Sequence, residues 1–398
     1  MFDSIVLNRS IDGPSLTVGE IAEALLFYQN VHIVMDTSTL LGLIRSIGHN
    51  NVIKLLSLPD IKTTFIEEFL GVYTQESKNG AEHALLSAFI SGSDSGAQLK
   101  SWKKRLNYMI SRQGLTKSET EVFIERFKKL VVIRKLASDH FISGGVISTA
   151  KEDLNDEAYI SAAARIIVSD LLVGQTPPEN LFYKIYNNKD SFLIDTNINF
   201  TEINQLNLNR IKTIGETTPA SIAAGILGAS YGLILAAHYG GDFYTSNTVS
   251  EIIQYRNKQI LARANINRKE LNSFHNIVLE GSPNISSIIN EKERSFEEFL
   301  ELFSRAKKFK SWLKNKSPDK NLVSAYLEEI TTTGWLGSGY GKALRYIAST
   351  GAGFIGPITG IAVSAIDAFF LDRLSLGWKP NQFINERVKP FIDINGHL

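Results

Sequence analysis

The apolar positions of this chain change period several times, and each change marks an element. From Val18 onward, Ile21, Ala24, Leu25 and Tyr28 recur at helical spacing, with Thr17 and Glu20 at capping-box spacing. Val31–Met35 is instead a short, mostly apolar run that predicts a buried strand. Thr39 to Ile47 returns to the helical period, Gly48 stops it, Val52 to Leu58 adds a turn or two, and Ile61 to Phe65 is rich in β formers. Helix, strand, helix, strand is the opening of a small α/β unit. Beyond a turn cluster at Gly92–Gly96, helices are predicted over Leu99–Gln113, Thr116–Leu136 and Glu157–Leu172, with breaks at Gly114, Gly144–Gly145 and Pro177–Pro178. Leu181–Ile185 and Ser191–Ile194 flank Asn187–Asp190 and read as a β-hairpin. From Thr218 the pattern is nearly all helix: an apolar segment opened by Pro219, an amphipathic stretch over Thr248–Asn265, a helix capped by Ser295 with Glu298, and one that starts at Ser317 and ends at Gly334.

Two segments stand out because they carry no charge. Ala220–Ala237 has small residues at Ala224, Gly228, Gly232 and Ala236, and Ile347–Ile366 has Gly351, Gly353, Gly356, Gly360 and Ser364. Small residues at i, i+4 let another backbone approach one helix face closely. Their lengths of 18 and 20 residues sit at the margin for crossing a bilayer. Their Gly, Ala, Ser and Thr content gives little insertion energy, and Pro357 would kink the second. They are therefore expected as two buried, closely packed helices, or as helices that enter a membrane, constitutively or on a trigger.

Composition narrows the classes. A chain of 398 residues allows two or three domains. A net charge of +1 excludes global attraction to nucleic acid or lipid. The absence of cysteine excludes disulfides, thiolate metal sites and a cysteine nucleophile. The first residues lack the basic start and apolar stretch of a signal peptide, so a cytoplasmic protein is expected, with membrane association only on activation.

Candidate chemistry is sparse. No H-E-x-x-H, P-loop or G-x-S-x-G is present, and Gly337–Lys342 lacks the phosphate-loop spacing. Arg305, Lys307, Lys308, Lys310, Lys314 and Lys316 interleave with Phe309 and Trp312. They could hold a phosphate backbone or an anionic membrane surface, or form the solvated, dipole-matched end of a helix that begins with Glu297, Glu298 and Glu301. Lys342, Arg345, Asp367 and Asp372 flank the second apolar segment and could form an ionic latch over it.

Met35-Asp36-Thr37-Ser38-Thr39, an aspartate at a strand end followed by Thr/Ser and a helix, resembles the opening of PIN-domain nucleases, and the resemblance continues to Glu67 and Glu68 over about 40 residues. It implies carboxylates that hold a divalent metal to activate water for phosphodiester cleavage. A prefix of 30 residues and the lack of marked third and fourth acids (only Asp139 and Asp170 offer themselves) depart from that pattern. The other reading of Asp36 is a helix cap. The C-terminal pattern Phe309-Lys310-Ser-Trp312, Gly334-Trp335, Lys342-Ala-Leu-Arg345 and Gly377-Trp378-Lys-Pro380 is similar to bacterial proteins of unknown function; it implies a bacterial source and a setting in phage or plasmid conflict.

The expectation is an α-dominant α+β protein. Residues 1–150 form a small α/β part, 151–215 a helical connector with a hairpin, and 216–398 a helical domain around the two glycine-rich helices. The expected function is that of a non-enzymatic bacterial effector or interaction protein, with a metal-dependent nuclease or a scaffold as alternatives. Its partners would be another protein, a second copy or a membrane, with nucleic acid disfavoured. No cofactor is expected, and a divalent metal enters only with the nuclease.

Overall fold

A computed structural model describes residues 2–9, 16–77, 80–136, 153–173, 175–188, 191–208, 211–212, 215–239, 242–243, 271–276, 278–279, 283–315, 322 and 380–393. The expected helix at 248–265, that at 317–334 apart from Leu322, the second apolar segment, and the proposed latch of Lys342, Arg345, Asp367 and Asp372 lie outside these residues. The described protein is mixed α/β, with more helix than strand.

The first elements are β1 (Ser4–Asn8), α1 (Val18–Phe27), β2 (Asn30–Met35), α2 (Thr37–Ile47), α3 (His49–Leu56) and β3 (Ile61–Ile66). A long hairpin follows, β4 (Glu68–Ser77) and β5 (Gly80–Phe89), then α4 (Asp94–Ala97), α5 (Trp102–Ser111), α6 (Lys117–Leu130) and β6 (Val131–Arg134). Next come α7 (Glu157–Leu171), the hairpin β7 (Tyr183–Asn188) and β8 (Ser191–Thr196), α8 (Phe200–Leu206), α9 (Pro219–Tyr239) and β9 (Asp242–Phe243). The last are α10 (Ile285–Asn290), α11 (Phe296–Ser304), α12 (Lys307–Lys314) and short turns of helix over 380–392. The strands β1, β4, β5 and β6 were not among the sequence expectations, and α6 stops six residues before the expected Leu136, where the β-branched Val131, Val132 and Ile133 begin a strand.

The chain forms two compact units that do not follow chain order. One gathers Ser4–Thr17 and Val31–Ala262; the other gathers Met1–Asp3, Val18–Asn30 and Arg263–Leu398.

In the first unit, five strands form a sheet in the order β6-β3-β2-β1-β9. The β2–β3, β3–β6 and β1–β9 pairs are parallel. Successive strand residues face opposite sides of the sheet, and both sides are covered, which is why the strands read as nearly unbroken apolar runs. Phe65 faces one side, against Trp102 of α5 and Phe127 of α6, with ring centroids 6.0 and 5.4 Å away. His32 and Thr64 face the other, where His32 meets Tyr239 of α9 at 4.0 Å. A second, antiparallel sheet has the order β4-β5-β8-β7, and the expected 181–194 hairpin lies within it. Tyr183, fully buried there, donates its hydroxyl to the Pro219 carbonyl at 2.6 Å and ties this sheet to the start of α9.

The other unit is helical. Gly19 of α1 donates its N–H to Asn290 Oδ1 of α10 at 3.0 Å, and Phe27 packs between Phe274 and Phe309. Ser295 and Glu298 close the expected capping box. The expected continuous helix is broken at Arg305–Ala306 into α11 and α12, so the acidic start and basic end do not share one dipole. Phe309, Lys310, Trp312 and Leu313 of α12 are buried, the Lys310 ammonium 4.9 Å from the Phe303 ring centre, while Lys307, Lys308 and Lys314 are exposed. The two aromatic residues interleaved with these lysines, which the sequence left open as base-stacking platforms, are core residues: Phe309 stacks on Trp312 and Phe383.

Candidate functional site

The sheet of the first unit ends in a row of polar residues. Arg9 follows β1, Asp36 follows β2, and Glu67 and Glu68 follow β3. Asp36 sits where the backbone leaves the strand and enters α2; its Oδ1 accepts the Thr39 N–H at 2.7 Å, capping that helix. Its Oδ2 faces Arg9 Nη1 at 3.3 Å. Since Arg9 and Asp36 each lie just past a strand end and still meet, β1 runs in the same direction as β2.

Glu67 and Glu68 part company at the pleat. Glu67 turns to the Phe65 side, where Arg105 of α5 grips both its oxygens at 2.5 Å from Nε and Nη2. That pairing, a charge-assisted fork, raises the Arg105 pKa further. Glu68 turns to the α9 side and accepts the Leu136 N–H on Oε2 at 3.1 Å. Glu68 therefore joins Asp36, and Glu67 does not.

Arg9, Asp36, Glu68 and Tyr231 of α9 line one cavity of about 30 Å³, with Val34, Ile66 and Leu70 supplying apolar wall. That volume admits one or two water-sized groups. Two carboxylates against one guanidinium give the lining a net negative charge. Burial, then the Asp36 carboxylate, pushes the Tyr231 hydroxyl far up, so it stays a neutral donor. At the end of β1, Arg9 Nε and Asn8 Oδ1 are buried without hydrogen-bond partners. The strand order reverses here, since β2 lies on one side of β1 and β9 on the other. The crevice outside the carboxyl ends at such a reversal is where open α/β sheets bind ligands. Sequence reasoning missed Arg9 and Tyr231, because no motif spacing links residues 9, 36, 68 and 231.

The residues described here do not fit the metal centre that a PIN resemblance implies. Both Asp36 oxygens and one Glu68 oxygen are engaged by protein donors, and the Arg9 guanidinium stands beside the carboxylate a cation would need. Among the described residues, no group of three or more His, Asp or Glu could hold a metal ion.

Helix α9 contains the first apolar segment. It packs against β1, β4, β8, β9 and α7, with Gly228 and Gly232 buried and Ala224 partly so. It is apolar around its whole circumference, as expected of a helix enclosed by its own fold. No helix among the described residues is long and apolar enough to cross a membrane. Gly356 and Gly360 lie outside the described residues.

Below the cavity, His32 Nε2 and Thr64 Oγ1 are 2.9 Å apart. Burial, then Lys62 and His238, lowers the His32 pKa to about 4. A histidine neutral in the folded state but protonated on unfolding below pH 6.5 favours unfolding as pH falls. Stability is expected to be unaffected by His32 above pH 6.5. It should drop by on the order of 2 kcal/mol between pH 6.5 and 4, the solvent edge of the half-buried ring moderating the loss. Urea midpoints across that range, compared with His32→Asn, check it: the variant should show the shallower acid slope.

No protein-family model, curated protein or solved structure matches this chain.

Proposed function

We propose that this chain is a non-enzymatic binding protein whose sheet unit receives a small cationic head group in the cavity of Arg9, Asp36, Glu68 and Tyr231. The observation that carries this reading is the convergence of those four residues, from three strand ends and one helix, at the carboxyl edge of the sheet. The net negative lining selects positive charge, and the volume suits a head group of ammonium size. Asp36 is already satisfied by the α2 N-terminus and by Arg9, so Glu68, with only its Oε2 engaged, is the acceptor offered to a ligand. Such recognition suits an interaction protein or effector that responds to an amine.

The test is thermal unfolding with methylammonium and putrescine at constant ionic strength. Saturable stabilisation is expected for the wild type, and at least a tenfold weaker response for Glu68→Gln. Equal responses of the two proteins would sink the reading. Oligonucleotide cleavage with magnesium that disappears in Asp36→Asn would sink it as well.

A further inference from the structure

β7 stands at one edge of the antiparallel sheet, whose order is β4-β5-β8-β7. Among the described residues only β8 pairs with it. Asn188 and Ser191 face each other across a two-residue loop, which makes them a hydrogen-bonded pair. Bonded and non-bonded pairs alternate along an antiparallel ladder, so Tyr186 and Lys184 also turn their backbone groups to β8. The backbone N–H and C=O of Ile185 and Asn187 therefore point away from the sheet. Phe182 agrees with this phase. Its N–H donates to Asn197 Oδ1 at 2.9 Å and its C=O accepts the Thr196 hydroxyl at 2.7 Å, both on the β8 side.

A cavity of about 380 Å³ lies along the outward edge. Every residue from Tyr183 to Asn187 lines it. Successive strand side chains point to opposite faces, so the cavity follows the backbone edge rather than one face of the sheet. Its other wall is the start of α7, with Leu154, Asn155, Glu157 and Ile160. Two side chains of β7 reach that wall: Lys184 pairs with Glu157 at 3.2 Å, and Asn187 Nδ2 donates to Asn155 Oδ1. Both contacts are solvent-exposed and open at little cost. None of these residues lines the carboxyl-edge cavity.

We propose that this groove takes an extended peptide segment of a partner protein, which adds to β7 as a further strand. Outward N–H and C=O groups along one line are matched by another extended backbone. Ile160 and Ile185 offer an apolar wall, which suits an apolar residue of the incoming strand. Lys184 pairs with Glu157 and stands opposite Asp195 in the β7–β8 register. Two carboxylates against one ammonium leave the groove acidic, which selects a basic residue beside the apolar one. The α7 wall recesses the edge, so a lone strand enters where the sheet edge of a second copy is kept out.

The experiment is fluorescence anisotropy of the fluorescein-labelled peptide Lys-Thr-Val-Thr-Val-Lys titrated with the full chain. Saturable binding is expected. N-methylation of alternate peptide residues tests the backbone match: one alternate set should weaken binding at least tenfold, and the other should leave it near the parent's. Proline is accepted on an edge strand where the N–H faces outward, so Ile185→Pro should fold and bind at least tenfold more weakly. Glu157→Lys, at an exposed position, should weaken binding several-fold, and that arm reads even if Ile185→Pro is unstable. Glu68→Gln should bind the peptide as wild type does, which separates this inference from the cationic-ligand reading. Absence of saturable binding, or equal affinity for the two methylated sets, would overturn it. So would self-association of the chain that Ile185→Pro abolishes, since that would assign the edge to a second copy.

Discussion

Replacing Glu67 by alanine is expected to destabilise the sheet unit by about 3–5 kcal/mol, the cost of leaving a buried partner charge uncompensated. The side chains of Glu67 and Arg105 are only 11% and 13% exposed. The guanidinium is held at four places: the two Glu67 oxygens, the Leu99 carbonyl at 2.6 Å and the Phe89 ring, whose centre is 4.1 Å away. Removing the carboxylate leaves Arg105 enclosed with one carbonyl and one ring. The pair joins the end of β3 to α5, and Phe89 brings in the end of β5, so the loss should spread through the unit. Urea denaturation checks the magnitude. Glu67→Leu combined with Arg105→Leu should recover most of the stability, because exchanging a buried pair for apolar side chains is often neutral. A loss below about 1 kcal/mol for Glu67→Ala would place this ion pair in the solvent-exposed class instead.

The second large effect belongs to the helical unit. A β-carbon built on Gly19 would lie 2.2 Å from the Ser286 carbonyl oxygen and 2.8 Å from the Asn290 side chain. Gly19→Ala must therefore drive α1 away from α10 or break the Gly19–Asn290 hydrogen bond at their contact. The nearest atom is backbone and cannot rotate aside, so the expected cost is about 3 kcal/mol, the upper part of the overpacking range. A thermal melt of Gly19→Ala checks it, with the loss appearing in the transition of the unit containing Trp312.

Much of the core was legible in the sequence. The helical period before Tyr28, the β-rich run at Ile61, the helix start at Thr116 and the cap spacing at Ser295 all correspond to elements. The elements that escaped did so for physical reasons. Ser4–Asn8 is a single short strand whose burial comes from neighbours distant in sequence. Val131–Arg134 continues directly from α6, so the helical period masked its β-branched start. The β4–β5 hairpin leaves much of its surface to solvent, which blurs the alternation a half-buried strand should show. On α12, the spacing of Phe309, Trp312 and Leu313 already marked a core-facing stripe, which outranks their place among lysines. The candidate site was half visible. Asp36 announced itself at a strand end, but the choice between Glu67 and Glu68 depends on which side of the sheet carries the cavity. Arg9 and Tyr231 reach it only through topology.

Calorimetric titration of putrescine into wild type, Glu68→Gln and Glu67→Gln, at a temperature where all three are folded, tests directly which side of the sheet carries the ligand site. The prediction is saturable binding by wild type and by Glu67→Gln, with at least a tenfold loss in Glu68→Gln. Loss in Glu67→Gln with retention in Glu68→Gln, or no binding by any of the three, would contradict it.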